Sequence, residues 1–210
     1  MKRERAYFAR HEPAVRAVLR AATVGIAGAG GLGSNVAVAL ARAGVGRLII
    51  VDFDKVEIAN LNRQQYFLDQ VGRVKVLALR ENLMRINPFS EYVVHRARIT
   101  RANAAALFAG ADLLVEAFDR ANEKQMLIET WLDGFPGRPI IAASGLSGYG
   151  GNAEIRQRKA GNLYICGDEK SGPRRGISPM APRVALVAAM QANLAVELLM
   201  KSRSARVQGE

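Results

Sequence analysis

The 210-residue sequence contains little cysteine, histidine or tryptophan: one Cys, two His and one Trp. The single cysteine, Cys166, excludes a disulfide framework and any zinc site built from several thiolates, so no zinc is expected. The first residues, MKRERAYFARHEP, are charged and do not form a secretory signal, which together with the lone cysteine predicts a cytoplasmic protein. No stretch approaches about 20 uninterrupted apolar residues, and we therefore expect no membrane span.

The charge is strongly basic, +11, and it is unevenly placed. Residues 1–20 carry +4, residues 156–183 carry +5 and residues 201–210 carry +2, so the rest of the chain is neutral overall. A basic surface favours an acidic protein, a nucleotide or nucleic acid as partner, and solubility alone is an equally good explanation. Because aromatic residues do not alternate with these charges, nucleic acid is the less favoured partner, with tRNA left open.

Short apolar runs alternate with segments of helical period, and half of all residues are hydrophobic. Continuous apolar runs at 23–27 and 47–51 predict strands that are buried on both faces. Further strands are predicted at 92–99, 112–117 and 139–143. Helices are predicted at 14–22, 31–43, 71–86, 102–108, 121–132 and 184–200. This alternation predicts an α/β, Rossmann-like fold with a mostly parallel sheet and helices on both faces.

The pattern changes after residue 143, where glycine-rich turns replace the regular alternation. We predict an irregular or antiparallel C-terminal extension containing a possible edge strand at 152–157, a basic loop at 167–182 and the final helix. The whole chain, 1–210, is then one domain. Its predicted parts are a helical arm (1–22), the Rossmann-like core (23–143) and the extension (144–210).

A glycine-rich turn, GAGGLG, follows the first predicted strand and places Gly28, Gly30, Gly31 and Gly33 ahead of a helix. Glycines let the backbone approach a phosphate, and the free N–H groups at a helix start favour anions. Asp52 ends the second predicted strand, 19 residues after Gly33, where a carboxylate accepts hydrogen bonds from ribose hydroxyls. The pattern predicts a nucleotide site without identifying the nucleotide, and a mere tight turn is the alternative.

Amide and basic side chains follow Asp52 in and after one loop. Asn60, Asn62 and Arg63 lie in the stretch NLNRQ, and Lys75 lies in VGRVKV. A guanidinium and an ammonium beside a glycine-rich anion site suit a triphosphate better than the bridging pyrophosphate of a redox cofactor. Taken alone, such cations are most often solvated surface charges and such asparagines are turn formers.

Two carboxylates, Glu116 and Asp119, lie where the predicted strand 112–117 ends. Ligands bind at this carboxyl edge in open parallel sheets, and a carboxylate near a triphosphate is a natural magnesium ligand. Asp119 has an alternative role as the N-cap of the helix predicted at 121–132, since aspartate is favoured there.

Several segments together carry a family resemblance: GAGGLGSN, VDFD with NLNRQ, GRVKV, the strand ending in AFD, and MAPRVALVAAMQANLAVELL. From about residue 23 to residue 200 the chain resembles the ThiF/MoeB/HesA superfamily, the bacterial relatives of ubiquitin-activating enzymes. The compact length and the runs NLNRQQYF, NPF, VEAFD, AASGLSGYG and YICGD are most similar to the short ThiF type of thiamine biosynthesis.

The resemblance implies a nucleotidyltransferase that adenylates a small ubiquitin-like sulfur carrier, of ThiS type, ending in Gly-Gly. The carrier carboxylate would attack the α-phosphorus of ATP, and the acyl-adenylate would then be converted to a thiocarboxylate for the thiazole ring. It also implies Mg²⁺ and a homodimer with shared ATP sites.

Motif matching implies a role for each candidate residue. The loop 28–33 and Asp52 would hold the adenosine side, and Asn60 and Arg63, with Asn62 beside them, would contact phosphates. Lys75 would neutralise the phosphates and Asp119 would hold Mg²⁺, although Arg120 stands where the family often has Asn. Arg10 is the candidate for an arginine that reaches the partner subunit's ATP.

Some relatives use a loop cysteine to bond covalently to the carrier terminus, which makes Cys166 a candidate for sulfur transfer. The alternative is a structural cysteine at the end of an apolar strand. Alternative functions are a relative that acts on a molybdopterin-type carrier or on a carboxyl of a tRNA nucleoside. An NAD-dependent oxidoreductase and a non-catalytic scaffold are the less favoured classes.

Overall fold

Seven strands form one sheet in the computed structural model, which describes residues 2–172 and 177–208, with side chains as far as residue 202. The strands are β1 (Thr23–Ala27), β2 (Arg47–Val51), β3 (Glu91–His95), β4 (Leu113–Glu116), β5 (Ile140–Ala143), β6 (Arg156–Ala160) and β7 (Leu163–Gly167). Their order is β3-β2-β1-β4-β5-β7-β6, and every neighbouring pair is parallel except β6 with β7. The predicted fold class is confirmed.

Helices cover both faces of this sheet. They are α1 (Lys2–Tyr7), α2 (Pro13–Ala21), α3 (Gly31–Ala43), α4 (Lys75–Ile86), α5 (Ala104–Phe108), α6 (Ala121–Gly134) and α7 (Ala181–Gln208). One apolar core gathers side chains of α3, α4 and α7 beneath the sheet, and a second gathers those of α5 and α6 on the other face. Burial on both faces explains why the central strands are continuous apolar runs.

The register of the central strands creates the edge on which the site is built. Ala27 at the end of β1 lies beside Val51 of β2 and Glu116 of β4. The loops that follow these three strands therefore leave the sheet side by side. α3 begins in the first of these loops and ends at Gly44, whose left-handed backbone (φ 87°) lets its N–H donate to the carbonyls of Leu40 and Ala41.

Several boundaries differ from the sequence predictions: the strand predicted at 92–99 ends at His95, and the helix predicted at 184–200 spans Ala181–Gln208. α4 begins at Lys75 rather than at residue 71, because the backbone of residues 72–73 pairs with Val56 instead of turning into a helix. The predicted edge strand at 152–157 was wrong in place: Asn152–Glu154 is a 3₁₀ turn, and the antiparallel edge strand is β6. β6 is exposed along its length and pairs with β7, a strand that the sequence analysis did not predict. Residues 173–176 of the predicted basic loop lie outside the described residues.

α7 is the one helix in the described part of the chain that is long and apolar enough, by length and composition, to cross a membrane. Its residues 181–202 reach a mean hydropathy of 1.5. Val184, Val187, Ala188, Ala195 and other side chains of this helix are buried against α3 and the sheet. In the fold, α7 is thus a core helix that spans the underside of β4, β5 and β7.

Candidate functional site

A cleft of about 660 Å³ opens at the carboxyl edge of the sheet. Its centre is formed by the glycine loop after β1, the loop before α4 and the loop after β4. On one side it extends to residues 51–54 and 97–99, which we call the β2 lobe. On the other side it extends to residues 144–147, Ser171, Gly172 and Pro179, which we call the β5 lobe. Ligand sites of open α/β sheets lie at this edge.

The glycines of the loop have two different roles: Gly28 and Gly33 allow close backbone packing, whereas Gly30 and Gly31 form part of the cleft wall. Gly28 has φ +101°, and a β-carbon on it would lie 2.9 Å from the carbonyl oxygen of Ala117. A β-carbon on Gly33 would lie 1.9 Å from the carbonyl oxygen of Gly28, so Gly33 allows α3 to pack on the turn and does not line the cleft. Gly30 and Gly31 do line it, and the first N–H groups of α3 have no intrahelical acceptor. This end of α3 is suited to an anion.

Asp52 fixes the glycine loop as well as facing the cleft. Its Oδ2 accepts a hydrogen bond from the backbone N–H of Ala29 at 2.7 Å, and its Oδ1 accepts one from the N–H of Asp54 at 2.7 Å. The buried hydroxyl of Tyr66 donates to the carbonyl of Ala29 at 2.7 Å from the other side. Burial, together with Asp52 and Asp54, raises the pKa of Tyr66, so the hydroxyl remains a donor.

Arg63 is oriented by its own loop. Its Nη1 donates to the carbonyl of Ala59 at 3.2 Å and to Oδ1 of Asn62 at 2.8 Å. Asn60 caps the 3₁₀ turn Ile58–Asn60, because its Oδ1 accepts a hydrogen bond from the N–H of Glu57 at 3.0 Å. Asn60 and Arg63 line the cleft, whereas Asn62 is exposed outside it and holds Arg63 in place.

Lys75 begins α4 and is 6% exposed. Its Nζ donates to Oδ2 of Asp54 at 3.1 Å, and both residues line the cleft. Buried lysines are rare unless they are paired. Among the described residues, the ammonium group forms an ion pair with Asp54, at the wall of the cleft.

Asp119 is exposed at the centre of the cleft, and α6 is capped by the following residue, Arg120. The alternative role of Asp119 as a helix N-cap is thus not the one it has. Magnesium is commonly held by one or two carboxylates and phosphate oxygens, so a single exposed Asp119 fits such a site. Within the described ranges, no group of three or more His, Cys, Asp or Glu side chains gathers to hold a metal by itself.

Glu116, the other carboxylate at the end of this strand, is paired with a lysine. It is fully buried, and its two carboxylate oxygens accept hydrogen bonds from Nζ of Lys124 at 3.0 and 2.9 Å. Oε1 also accepts the N–H of Phe118 at 2.6 Å, in the loop that carries Asp119. Burial raises the pKa of Glu116, and Lys124 acts in the opposite direction by favouring the carboxylate. Glu116 therefore shapes the loop of Asp119 from below.

Besides Gly33 and Asn62, two further predicted site residues, Arg10 and Cys166, do not line the cleft. Arg10 follows α1 near Phe8, whose ring packs on Gly44 at the end of α3 opposite to the glycine loop. The 13 residues of α3 separate the two ends by about 20 Å. Cys166 is fully buried in β7, and burial raises the pKa of its thiol to about 12. This burial does not fit a sulfur-transfer role for Cys166 in the described conformation, because thiol reactions need an accessible thiolate.

Several residues of the site were not predicted from the sequence. Gln64 lines the cleft next to Arg63, and its buried side-chain oxygen has no hydrogen-bond partner among the described residues. Arg98 lies 4.0 Å from the centre of the Phe53 ring and donates to Glu123 at 3.1 Å, which closes the β2 lobe. Gln64 lies in the same NLNRQ stretch as Arg63, which was a usable signal, whereas the contacts of Arg98 are long-range.

This fold and this site define a nucleotide-binding α/β protein with an anion-binding glycine loop. The family model described as "ThiF family" matches residues 2–209. The chain belongs to the ThiF family.

Individual relatives agree with this assignment. The chain is 32% identical over 195 residues to the "Adenylyltransferase and sulfurtransferase uba4" of Emericella nidulans, covering 86% of this chain and 40% of that protein. It is 46% identical over 92 residues to the "Ubiquitin-like modifier-activating enzyme 5" of Caenorhabditis briggsae, covering 44% of this chain and 21% of that protein. The chain thus spans well under half the length of these curated relatives.

A solved structure shares the fold across almost the whole chain. It is the Escherichia coli tRNA N6-threonylcarbamoyladenosine dehydratase, TcdA, in complex with AMP, with a TM-score of 0.84 and 21% sequence identity. The likeness covers 96% of this chain and 94% of that chain. At this identity it shows a common fold.

Proposed function

We propose that the chain is an ATP-dependent adenylyltransferase acting on the C-terminal glycine carboxylate of a small ubiquitin-like sulfur carrier. The carrier is of ThiS type, and its activated terminus serves thiocarboxylate formation in thiamine thiazole biosynthesis. The observation that carries the proposal is one continuous cleft, with an anion-binding centre between two lobes of different character. We further propose that residues 1–210 act as one domain and that the protein is cytoplasmic.

The β2 lobe suits the nucleoside end of ATP. Asp52 presents a carboxylate at the end of β2, where ribose hydroxyls can donate to it. Phe53 and Arg98 add flat surfaces that suit a nucleobase. Gly30, Gly31, and the cations Arg63 and Lys75 then lie along the phosphates. In an NAD-dependent oxidoreductase, Arg63 and Lys75 would have no role in binding or catalysis.

The β5 lobe suits a narrow, uncharged peptide that ends in a carboxylate. Among the described residues that line it, none has a charged side chain: they are Ser144, Gly145, Leu146, Ser147, Ser171, Gly172 and Pro179. Small residues leave room for an extended chain, and an uncharged surface favours a backbone such as Gly-Gly over a side chain with its own charge.

The reaction balances without a protein acid or base. A carboxylate oxygen of the terminal glycine attacks the α-phosphorus, and the bond from that phosphorus to the oxygen bridging the β-phosphate breaks. Pyrophosphate leaves with the electron pair, and an acyl-adenylate remains. No proton has to move, because the carboxylate is already ionised at neutral pH. The enzyme's task is to bring two anions together in line.

Lys75 and Arg63 perform that task by offsetting the repulsion between the carboxylate and the phosphates. Asp119 is the residue that would hold Mg²⁺, which supplies further positive charge at the phosphate oxygens when it is bound. We assign no step to Cys166, because its thiol is buried.

The names of the relatives support the class of reaction. The Emericella nidulans relative is called an adenylyltransferase and sulfurtransferase, and the Caenorhabditis briggsae relative is called a ubiquitin-like modifier-activating enzyme. A homodimer is also part of the proposal. Because Arg10 lies at the far end of α3 from its own cleft, any action of Arg10 on ATP requires a second copy, and equilibrium sedimentation that shows only monomer would rule it out.

Magnesium-dependent exchange between ATP and labelled pyrophosphate tests the proposal, with a Gly-Gly-ended ThiS-type carrier as acceptor. We expect exchange that requires the carrier and disappears when its last glycine is deleted. Asp119→Ala should lower the exchange rate by about 100-fold or more. Asp133→Ala is the matched control, since Asp133 is exposed on the last turn of α6 and does not line the cleft.

The other outcomes each point to another function. Exchange with a molybdopterin-type carrier but not with the ThiS type would retain the chemistry and change the pathway. Release of pyrophosphate with tRNA in place of any carrier would favour a nucleoside carboxyl as acceptor. ATP binding without exchange for any acceptor would identify a scaffold and contradict the proposal.

A further inference from the structure

We propose that the buried ion pair between Asp168 and Arg183 positions the glycine-rich loop of residues 144–151, and that Arg183 is thereby a positioning residue for the carrier terminus. The proposal rests on the function proposed above, because it assigns the β5 lobe to that terminus. Neither residue belongs to the nucleotide half of the cleft. Asp168 follows β7, and Arg183 lies in the first turn of α7.

Asp168 organises its own turn with one oxygen and binds Arg183 with the other. Its Oδ1 accepts hydrogen bonds from the backbone N–H groups of Lys170 and Ser171, each at 2.8 Å. Its Oδ2 accepts a hydrogen bond from Nη2 of Arg183. The side chains of the pair are 4% and 6% exposed. Both carboxylate oxygens of Asp168 therefore accept hydrogen bonds from the protein, and the group is shielded from water.

Arg183 reaches beyond the pair to the loop itself. Its Nη1 donates to the carbonyl oxygen of Gly150. One planar guanidinium thus joins a core helix, the turn after β7 and the glycine-rich loop. The forked geometry of arginine makes this possible, whereas an ammonium group presents its donors from a single point.

The backbone completes the connection between the turn and the loop. The carbonyl of Ser171 accepts hydrogen bonds from the N–H groups of Leu146 and Ser147, at 3.1 and 3.3 Å. The N–H of Asp168 donates to the carbonyl of Gly145 at 3.1 Å. Asp168 orients the backbone of Ser171 by accepting its N–H. A substitution of Asp168 should therefore displace Ser171 and, through its carbonyl, Leu146 and Ser147, which line the β5 lobe.

Close approach shows that the loop lies directly on the ion pair. Gly145 has φ +76°, and a β-carbon there would lie 1.9 Å from Oδ1 of Asp168. A β-carbon on Gly151 would lie 3.2 Å from Nη1 of Arg183. No side chain fits at Gly145, and the contact at Gly151 would be tight, so the loop packs closely on the ion pair.

This buried ion pair contributes more to the orientation of the loop 144–151 than to the free energy of unfolding. Burial removes the hydration of both charges, and a buried pair often stabilises a fold no more than apolar residues of the same volume. What apolar residues would not supply is the set of directed hydrogen bonds to Gly150, Lys170 and Ser171. We therefore assign the pair to the shape of the β5 lobe.

The test compares Arg183→Met and Asp168→Asn with the matched control Arg158→Met. Arg158 pairs with Glu169, one residue from Asp168, but that pair is exposed at the surface. Two quantities are measured: the KM values for carrier and for ATP in pyrophosphate exchange, and hydrogen–deuterium exchange of residues 144–151. Asp168→Asn keeps almost the same side-chain shape, so it can replace Arg183→Met in the test if that variant fails to fold.

For Arg183→Met we expect the carrier KM to rise by about 10-fold or more while the ATP KM stays within about 2-fold. Protection of residues 144–151 should fall by about 10-fold. For Arg183→Lys, the logarithm of the carrier KM should return less than halfway from the Arg183→Met value to the wild-type value. Lysine keeps the positive charge but lacks the forked donor geometry of the guanidinium. Arg158→Met should change none of these quantities.

Equal increases in the KM for ATP and for carrier would overturn the proposal, as would unchanged protection of the loop. A loss of protection that spreads evenly over the whole chain would mean that the pair only stabilises the fold. If the wild type shows no carrier-dependent exchange, the proposed function fails, and the protection of residues 144–151 alone decides whether the pair positions the loop.

Discussion

An ion pair lies beside each lobe of the cleft, and the two pairs are built differently. Next to the β2 lobe, Lys75 is almost fully buried but its partner Asp54 is open, with side chains 8% and 47% exposed. Behind the β5 lobe, outside the cleft lining, Asp168 and Arg183 are both buried, at 4% and 6% exposed. Lys75 makes a single ion pair, at 3.1 Å, whereas Arg183 joins Asp168 to the carbonyl of Gly150.

The two pairs should respond differently when ligands bind. Because Asp54 is open to water, it would remain hydrated if Lys75, in the function proposed above, paired with a phosphate instead. Separating Arg183 from Asp168 would leave two buried charges unpaired, which is strongly unfavourable. The β2 lobe is thus organised to exchange partners, and the β5 lobe is organised to keep its shape.

The largest effect should follow from removing the exchangeable cation. Lys75→Met leaves an exposed Asp54 and little strain, so the midpoint of thermal unfolding should move by only a few degrees, on the order of 1 kcal/mol. The rate of carrier-dependent pyrophosphate exchange should fall by about 1,000-fold, since a charge at the phosphates is lost.

Lys55→Met provides the control for Lys75→Met, because Lys55 is an exposed lysine of the same loop outside the cleft. Its exchange rate should match that of the wild type. Equal activity in both variants would mean that Lys75 only pairs with Asp54 and that the comparison between the lobes is wrong.

A smaller effect separates the two duties of the glycines. Gly33→Ala should lower the free energy of unfolding by about 3 kcal/mol, because its methyl group would collide with the carbonyl of Gly28. Gly30→Ala meets no atom closer than 3.8 Å and should stay within about 1 kcal/mol of the wild type. Its affinity for ATP should nonetheless fall by about 10-fold, because the methyl group occupies the phosphate side of the turn.

Urea unfolding and ATP titration measure the two quantities separately. If Gly30→Ala bound ATP as the wild type does, the phosphates would not pass over this turn. If Gly33→Ala were as stable as the wild type, the close packing of α3 on the turn would not matter to the fold.

The two sides of the cleft also differ in how well they could be predicted from the sequence. β1, α3 and β2 were predicted to the residue, since the apolar runs, the glycine turn and the capping Gly44 are local signals. Asp52 and Lys75 came from the same local motifs. The placement of Asp168 and Arg183 was not predicted, because 15 residues separate them and each is an ordinary charged residue in its own segment.

Other omissions have the same cause. β7 contains apolar residues between turns, but its place between β5 and β6 depends on pairing with Ile140–Ala143. Glu116 was noted only as a carboxylate at a strand end, and its pairing with Lys124 depends on the packing of α6. Contacts between elements, rather than patterns within them, decided these cases.

The stability of the protein should depend on pH through Asp168. Burial disfavours the charged form of Asp168, but hydrogen bonds from Ser171 and Lys170 and from Arg183 outweigh this and lower its pKa from 3.8 to about 2. A lowered pKa contributes stability above the unfolded value, and this contribution is lost as the pH falls from about 4 through 2. It amounts to roughly 2 kcal/mol at pH 7.

Asp168→Asn removes this titration. The difference in unfolding free energy between wild type and variant should therefore shrink by about 2 kcal/mol between pH 6 and pH 2, as measured by urea unfolding across that range. A constant difference at all pH values would mean that Asp168 is not held as a carboxylate by the β5 lobe.

The smallest effect concerns Cys166, which lies in β7 behind the rigid lobe. Its thiol is fully buried and its pKa is raised to about 12, so at pH 8 it is protonated and shielded. A thiol reagent should label the native protein far more slowly than the urea-unfolded chain. Cys166→Ala should lower stability by about 1 kcal/mol and leave pyrophosphate exchange unchanged. Rapid labelling of the native protein, or normal exchange with loss of thiocarboxylate formation, would instead mean that β7 opens during turnover and that the β5 lobe does not keep its shape.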